Sequence, residues 1–182
     1  MVVVKERLYE DITEKCFNNK YKKYYVIDAK YFCVGKKKYF VDGKRVVLDY
    51  SDKEKEIAKW LGKTFGGKIY MLPRVNKPDG IMTADYLFRN ECWDLKTING
   101  LGKRVLEDSI KRKKRQSKNF IFDITNSKIE KESLFQQLDK IYKSKTTDWV
   151  DKIIVKKYED VLVIYKRKQK CDRAGNSARP HS

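Results

Sequence analysis

Between residues 52 and 65, Ile57, Ala58, Trp60, Leu61 and Phe65 recur at the three- and four-residue spacing of a helix with one apolar side. Ser51 or Asp52 can cap its start, and Gly66-Gly67 ends it. Upstream the period shortens to two. Alternating runs at Tyr24 to Asp28, Tyr31 to Val34, Lys38 to Val41 and Val46 to Asp49 predict strands, with Asp42-Gly43 as a hairpin turn between the last two. A helix near residues 5 to 16 is expected before them. Downstream, three strands are expected at Lys68 to Val75, Ala84 to Phe88 and Glu91 to Thr97, separated by turns at Lys77-Pro78-Asp79-Gly80 and Arg89-Asn90. Then come a helix over about Lys103 to Gln116, an apolar strand at Asn119 to Thr125, a helix over roughly Ile129 to Tyr142, and strands at Lys152 to Lys157 and Val161 to Tyr165. From residue 52 the order is αβββαβ, then αββ.

That order predicts an α/β fold with a mixed sheet (α+β), divided into a β-rich N-terminal extension over 1–50, a main domain over 51–166 and a basic, disordered tail over 167–182. The length of 182 residues suits one domain with appendages and excludes multidomain machinery. Lys and Arg total 43 against 25 Asp and Glu, a net charge of +18, while 41% of residues are hydrophobic. A chain of this kind can still bury a core, and its charge excess is the footprint of a surface that meets a polyanion. No apolar run approaches the roughly 18 residues of a membrane span, and the N-terminus lacks the apolar segment of a signal peptide, so a cytoplasmic location without membrane contact is expected. Cys16, Cys33, Cys92 and Cys171 are scattered, and the single His lies at position 181. Structural zinc, a disulfide framework and His-based acid/base chemistry are therefore not expected, which leaves carboxylates and lysines.

Those groups converge at one place. In Glu91 to Thr97, Asp94 and Lys96 share a face because strand side chains alternate. A hairpin through Arg89-Asn90 would bring Asp85 beside Asp94. Two carboxylates facing one space repel unless a cation lies between them, and such oxygen ligands suit Mg²⁺ or Mn²⁺. A lysine beside them can orient water or neutralise charge developing on a phosphate. On the preceding helix, a helical wheel puts Glu54 on the side of Ile57, Leu61 and Phe65, with Glu56 turned away. A glutamate facing the core needs a partner, and a metal held by Asp85 and Asp94 would be one. Glu56 is the alternative if the helix starts a residue away.

Asp-x-Lys alone arises readily on a solvated strand in so charged a chain; the nearby Asp85, the inward Glu54 and the element order give it weight. The run Lys111 to Arg115 invites phosphate contact, although charge runs are commonly solvated faces. The tyrosines are more often core and sheet residues, yet Tyr21, Tyr24 and Tyr25, set among lysines, could stack on single-stranded bases.

A helix with an inward Glu, then Asp, then Asp-x-Lys resembles the PD-(D/E)xK nuclease superfamily and its restriction-endonuclease-like αβββαβ core. Lys53 to Thr125 looks like the tRNA-nuclease domain at the C-terminus of CdiA contact-dependent inhibition toxins, a type also found in phages and mobile elements. The resemblance rests on Glu-Lys-Glu-Ile-Ala-Lys-Trp-Leu, Ile-Tyr-Met-Leu-Pro-Arg-Val, Thr-Ala-Asp-Tyr-Leu, Trp-Asp-Leu-Lys-Thr, Arg-Gln-Ser and Asn-Phe-Ile-Phe-Asp-Ile. Two departures stand in it: Ala84 replaces the Pro of the superfamily name, and the second acid is Asp94 rather than the commoner Glu. The resemblance implies Asp85 and Asp94 as metal ligands, Glu54 as ligand or water orienter, and Lys96 as the residue positioning the nucleophile. It also places Gln116 near the site; Mg²⁺ or Mn²⁺ is the expected cofactor, and the position of the basic run just after the Asp-x-Lys strand favours substrate contacts at Lys111, Arg112, Lys114 and Arg115. The expected activity is metal-dependent phosphodiester cleavage, with tRNA as the favoured substrate and water or the RNA 2′-hydroxyl as nucleophile. A toxin of this type would act in the cytoplasm of a target bacterium and have an acidic immunity protein. The alternatives are a DNA endonuclease of phage or restriction type, or a non-catalytic nucleic-acid-binding module.

Overall fold

The computed structural model describes residues 7–111, 113 and 116–169. Its elements in chain order are β1 (Tyr9–Asp11), α1 (Thr13–Asn18), β2 (Tyr24–Asp28), β3 (Tyr31–Val34), β4 (Lys37–Phe40), β5 (Val46–Val47), α2 (Asp52–Phe65), β6 (Gly67–Met71), β7 (Arg74–Val75), β8 (Tyr86–Phe88), β9 (Glu91–Thr97), α3 (Val105–Ile110), β10 (Asn119–Asp123), α4 (Lys131–Lys143), β11 (Lys152–Lys157) and β12 (Asp160–Arg167). Eight strands form one mixed sheet in the order β1-β12-β11-β10-β9-β8-β6-β2. The meander β6, β8, β9 is antiparallel, while β9, β10 and β11 run parallel and β2 runs parallel to β6.

Alternation within the strands sorts the core into two layers. Ile69, Met71, Tyr86, Phe88, Trp93, Ile121 and Ile154 meet the apolar side of α2, with Ile12 and Cys16 of the α1 region alongside. Phe120, Phe122, Ile153, Val155 and Val163 point the other way, against α3 and α4. The apolar stripe of α2 thus falls where its spacing requires, with Ile57, Ala58 and Leu61 fully buried. Truncating Leu61 to Ala there costs about 2–5 kcal/mol. Ser51 caps the helix in a reciprocal capping box with Glu54, and Gly66, at φ 69°, ends it in a conformation that a side chain disfavours. Arg89 and Asn90 both take positive φ in the turn joining β8 to β9.

The structure corrects several expectations. The predicted helix over 5–16 is instead β1 followed by the shorter α1; residues 1–6 lie outside the described set. Asp42-Gly43 does not join two paired strands: β3 pairs with β4, and β5 pairs with β7. The Asp42 carboxylate instead accepts the amides of Lys44, Arg45 and Val46, closing a capped loop. The single strand expected over 68–75 is interrupted at Leu72-Pro73, where proline has no amide to donate. The helix expected over 103–116 keeps only Val105–Ile110, because no apolar side chain beyond Ile110 faces the core and like charges crowd the segment. Residues 7–47 contribute both edge strands of the main sheet, β1 and β2. At the C-terminal end, β12 extends to Arg167; the tail from 170 onward lies outside the described residues. Among the described residues no helix is long and apolar enough to cross a membrane.

Candidate active site

The β8–β9 register pairs Tyr86 with Trp93, and one further step sets Asp85 opposite Asp94. The Asp85 amide donates to the Trp93 carbonyl at 3.1 Å, and its Oδ2 accepts the Leu95 amide at 2.6 Å. Asp94 is fully buried, its Oδ2 in an ion pair with the ammonium of Lys96, two residues along the same face. Its Oδ1 accepts no hydrogen bond from the described residues. An orphaned buried carboxylate oxygen is costly, so this position calls for a proton on its neighbour or a cation.

The electrostatics agree. Burial, then the charge of Asp94, pushes the Asp85 carboxyl up to about 7, although the Leu95 amide and Lys96 oppose the rise. Burial also raises Asp94, against the pull of Lys96 and Lys113, and a protonated Asp85 can donate to it. The two therefore titrate as a pair.

Glu54 is buried, as the wheel requires, and Glu56 is exposed on the outer side of α2. The Glu54 carboxylate accepts the Ser51 amide and hydroxyl and pairs with Arg74 Nη2 at 2.9 Å. Burial works against the Glu54 charge, but the two Ser51 bonds and Arg74 outweigh it and lower its pKa. The Tyr86 hydroxyl donates to the Glu54 carbonyl, tying the start of α2 to the strand that follows Asp85. Glu54, Asp85, Arg74, Tyr50 and Gln116 line one cleft of about 350 Å³. Gln116 donates to the Thr83 carbonyl at 2.7 Å, leaving its own carbonyl oxygen buried without a partner among the described residues.

Asp85, Asp94, Lys96, Glu54 and Gln116 are thus brought to one region. Lys111 lies at the C-terminal end of α3, and Arg112, Lys114 and Arg115 lie outside the described residues. Lys113, absent from the expected contact set, acts on Asp94. Arg74 and Tyr50 were also missed; nothing local marks either one, since their place depends on how β7 and the loop before α2 fold back over the cleft.

Among the described residues no group of three or more His, Cys, Asp and Glu side chains is placed to hold a metal ion, and Glu54 is held instead by Ser51 and Arg74. Two carboxylates with an unsatisfied oxygen still fit Mg²⁺ or Mn²⁺. Mg²⁺ keeps several waters and is often held by one or two carboxylates together with a substrate phosphate.

Residues 82–161 match the family described as the contact-dependent growth inhibition CdiA C-terminal domain. The match takes in Asp85, Asp94, Lys96 and Gln116 and leaves out Glu54. A solved CdiA-CT/CdiI toxin and immunity complex from Burkholderia pseudomallei is similar at 16% identity and a TM-score of 0.48, over 76% of this chain and 97% of that one. No curated protein matches the chain.

Proposed function

We propose that this protein is a metal-dependent endonuclease of the PD-(D/E)xK type, acting as a toxin on RNA, with tRNA as the favoured substrate. The carrying observation is the pair of half-buried Asp85 and fully buried Asp94 beside Lys96, with an Asp94 oxygen that lacks a donor among the described residues. The helix, three-strand meander, helix, parallel-strand order of α2 through β10 supports the superfamily reading. The CdiA C-terminal domain match supports the toxin reading, delivery into the cytoplasm of a target bacterium, and an acidic immunity protein as partner.

In this reading Asp85 and Asp94 hold Mg²⁺ or Mn²⁺. The bound ion would supply Lewis-acid stabilisation of the phosphate and make an attacking water more acidic. Lys96, held against Asp94, orients that nucleophile and faces the charge that builds on the phosphate. Glu54 is fixed by Ser51 and Arg74 in the same cleft and orients water from there, while the half-exposed Arg74 adds positive charge at the cleft wall. Gln116, anchored through Thr83, closes the cleft beside Asp85. Lys113 and its basic neighbours meet the polyanion backbone.

The test is incubation of the protein with tRNA and with plasmid DNA in Mg²⁺, Mn²⁺ or EDTA. Cleavage of tRNA with metal and none in EDTA is expected. Equal cleavage in EDTA would remove the metal from the mechanism, and tight binding with every substrate intact would remove the enzyme.

A further inference from the structure

On the sheet face opposite α2, helices α3 and α4 cover β10, β11 and β12, while β2, β6 and β8 carry a different set of side chains. Register fixes which residues point there. Tyr25 pairs with Lys68, Ile27 with Tyr70, Tyr70 with Leu87, and Leu87 with Cys92, so all of these share the face of Asp85 and Asp94. A groove of about 610 Å³ lies on this surface, lined by Tyr21, Tyr25, Tyr70, Lys22, Lys23 and Lys68 among others and, among the described residues, by no acidic side chain. Tyr21 and Tyr25 are 58% and 55% exposed. None of the three lysines makes an ion pair with a described residue.

The aromatic surface is built rather than loose. Arg89 lies over the Tyr21 ring at 5.7 Å and donates to the carbonyls of Asn19 and Phe65, so it serves the platform and not a ligand. A Cβ on Gly66 would stand 2.2 Å from the Tyr21 carbonyl oxygen, so the glycine allows the chain to close on this residue. The backbone of Tyr25 is fixed by the β2–β6 ladder. At roughly 5 Å per strand and 3.4 Å per residue, Tyr25 stands about 17 Å from Asp85 across the open sheet.

We propose that this face binds an unpaired nucleic-acid strand and leads it toward the carboxylate pair. Tyr25, Tyr70 and Tyr21 offer stacking surfaces, which accept any base, and Lys22, Lys23 and Lys68 meet the phosphates. That the strand is RNA rests on the nuclease reading; that the face binds a single strand does not. An acidic protein would match the charge but has no need of exposed rings in register with lysines.

The test is binding of a fluorescent single-stranded RNA to the whole protein in EDTA, where cleavage plays no part. The same sequence as a duplex and poly-glutamate serve as competitors. Tyr25→Ala should weaken binding about tenfold and Tyr25→Phe should restore it. Replacing Lys22, Lys23 and Lys68 together by Ala should reduce the salt slope of log K by about 2. Thermal melting and circular dichroism confirm that each variant folds. Unchanged affinity in folded Tyr25→Ala, or competition by poly-glutamate equal to that by the single strand, would overturn the proposal. Intact binding behaviour with no cleavage in Mg²⁺ would instead count against the nuclease reading alone.

Discussion

Asp85 and Asp94 face each other across the β8–β9 hairpin, and the only cation paired with either carboxylate among the described residues is Lys96, on Asp94. A carboxyl held up to about 7 in the folded chain gives a pH dependence of definite sign. Asp85 keeps a proton between its ordinary value near 4 and about 7 in the folded state and loses it in the unfolded state. Folding is therefore favoured by this group at low pH, and that contribution falls as pH rises through the window. In denaturant titrations with EDTA, wild type should lose stability relative to Asp85→Asn between about pH 4 and 7, by up to a few kcal/mol. Mn²⁺ should recover the loss above pH 7. A flat difference between the two proteins across this range would mean that Asp85 ionises normally.

Lys96 compensates a buried charge, so its removal should be felt in stability as well as activity. At pH 7 Lys96→Met should cost about 3–5 kcal/mol, the usual penalty for stripping one partner from a buried pair. The double variant Lys96→Met/Asp94→Asn should recover most of that. Thermal melts of the four proteins in the cycle measure the coupling, and additive effects would argue against the pair.

Glu54 carries two tasks that substitution can separate. Glu54→Gln keeps an oxygen for the Ser51 cap and should leave stability within about 1 kcal/mol, while cleavage falls about 10–100-fold, the scale of an orienting partner. A loss as complete as that of an Asp94 variant would make Glu54 a direct ligand instead.

Much of this site was legible in the sequence because it depends on local regularities. The three- and four-residue spacing turned Glu54 inward and Glu56 outward, and strand alternation set Asp94 beside Lys96. The tight turn at Arg89-Asn90 returned Asp85 to Asp94 over a short loop. What stayed hidden is non-local. Parallel pairing of β2 with β6 has no signature in the intervening chain, so the N-terminal strands read as an appendage although they form both edges of the sheet. The basic run kept helix-forming residues without an apolar stripe, and propensity alone did not carry α3 past Ile110.

A second ion-pair cluster, centred on buried Asp123, ties α2 to the sheet. Lys53 Nζ lies 2.7 Å from Asp123 Oδ2, and Lys156, only 2% exposed, lies 3.5 Å from Asp123 Oδ1 and 5.3 Å from the Trp60 ring centre. Burial works against the Asp123 charge, but Lys53, Thr125 and Lys156 outweigh it and lower its pKa. Asp123→Ala would leave Lys156 buried beside no carboxylate and should cost about 3–5 kcal/mol by denaturant titration. A loss below about 1 kcal/mol would show that water replaces the partner.

The most direct test is single-turnover cleavage of tRNA in Mg²⁺ by wild type and Asp94→Asn, with Mn²⁺ binding measured by calorimetry on the same samples. The account predicts that wild type binds the ion and cleaves, while folded Asp94→Asn loses both, with cleavage down more than about a thousandfold. Cleavage by folded Asp94→Asn at the wild-type rate would contradict it.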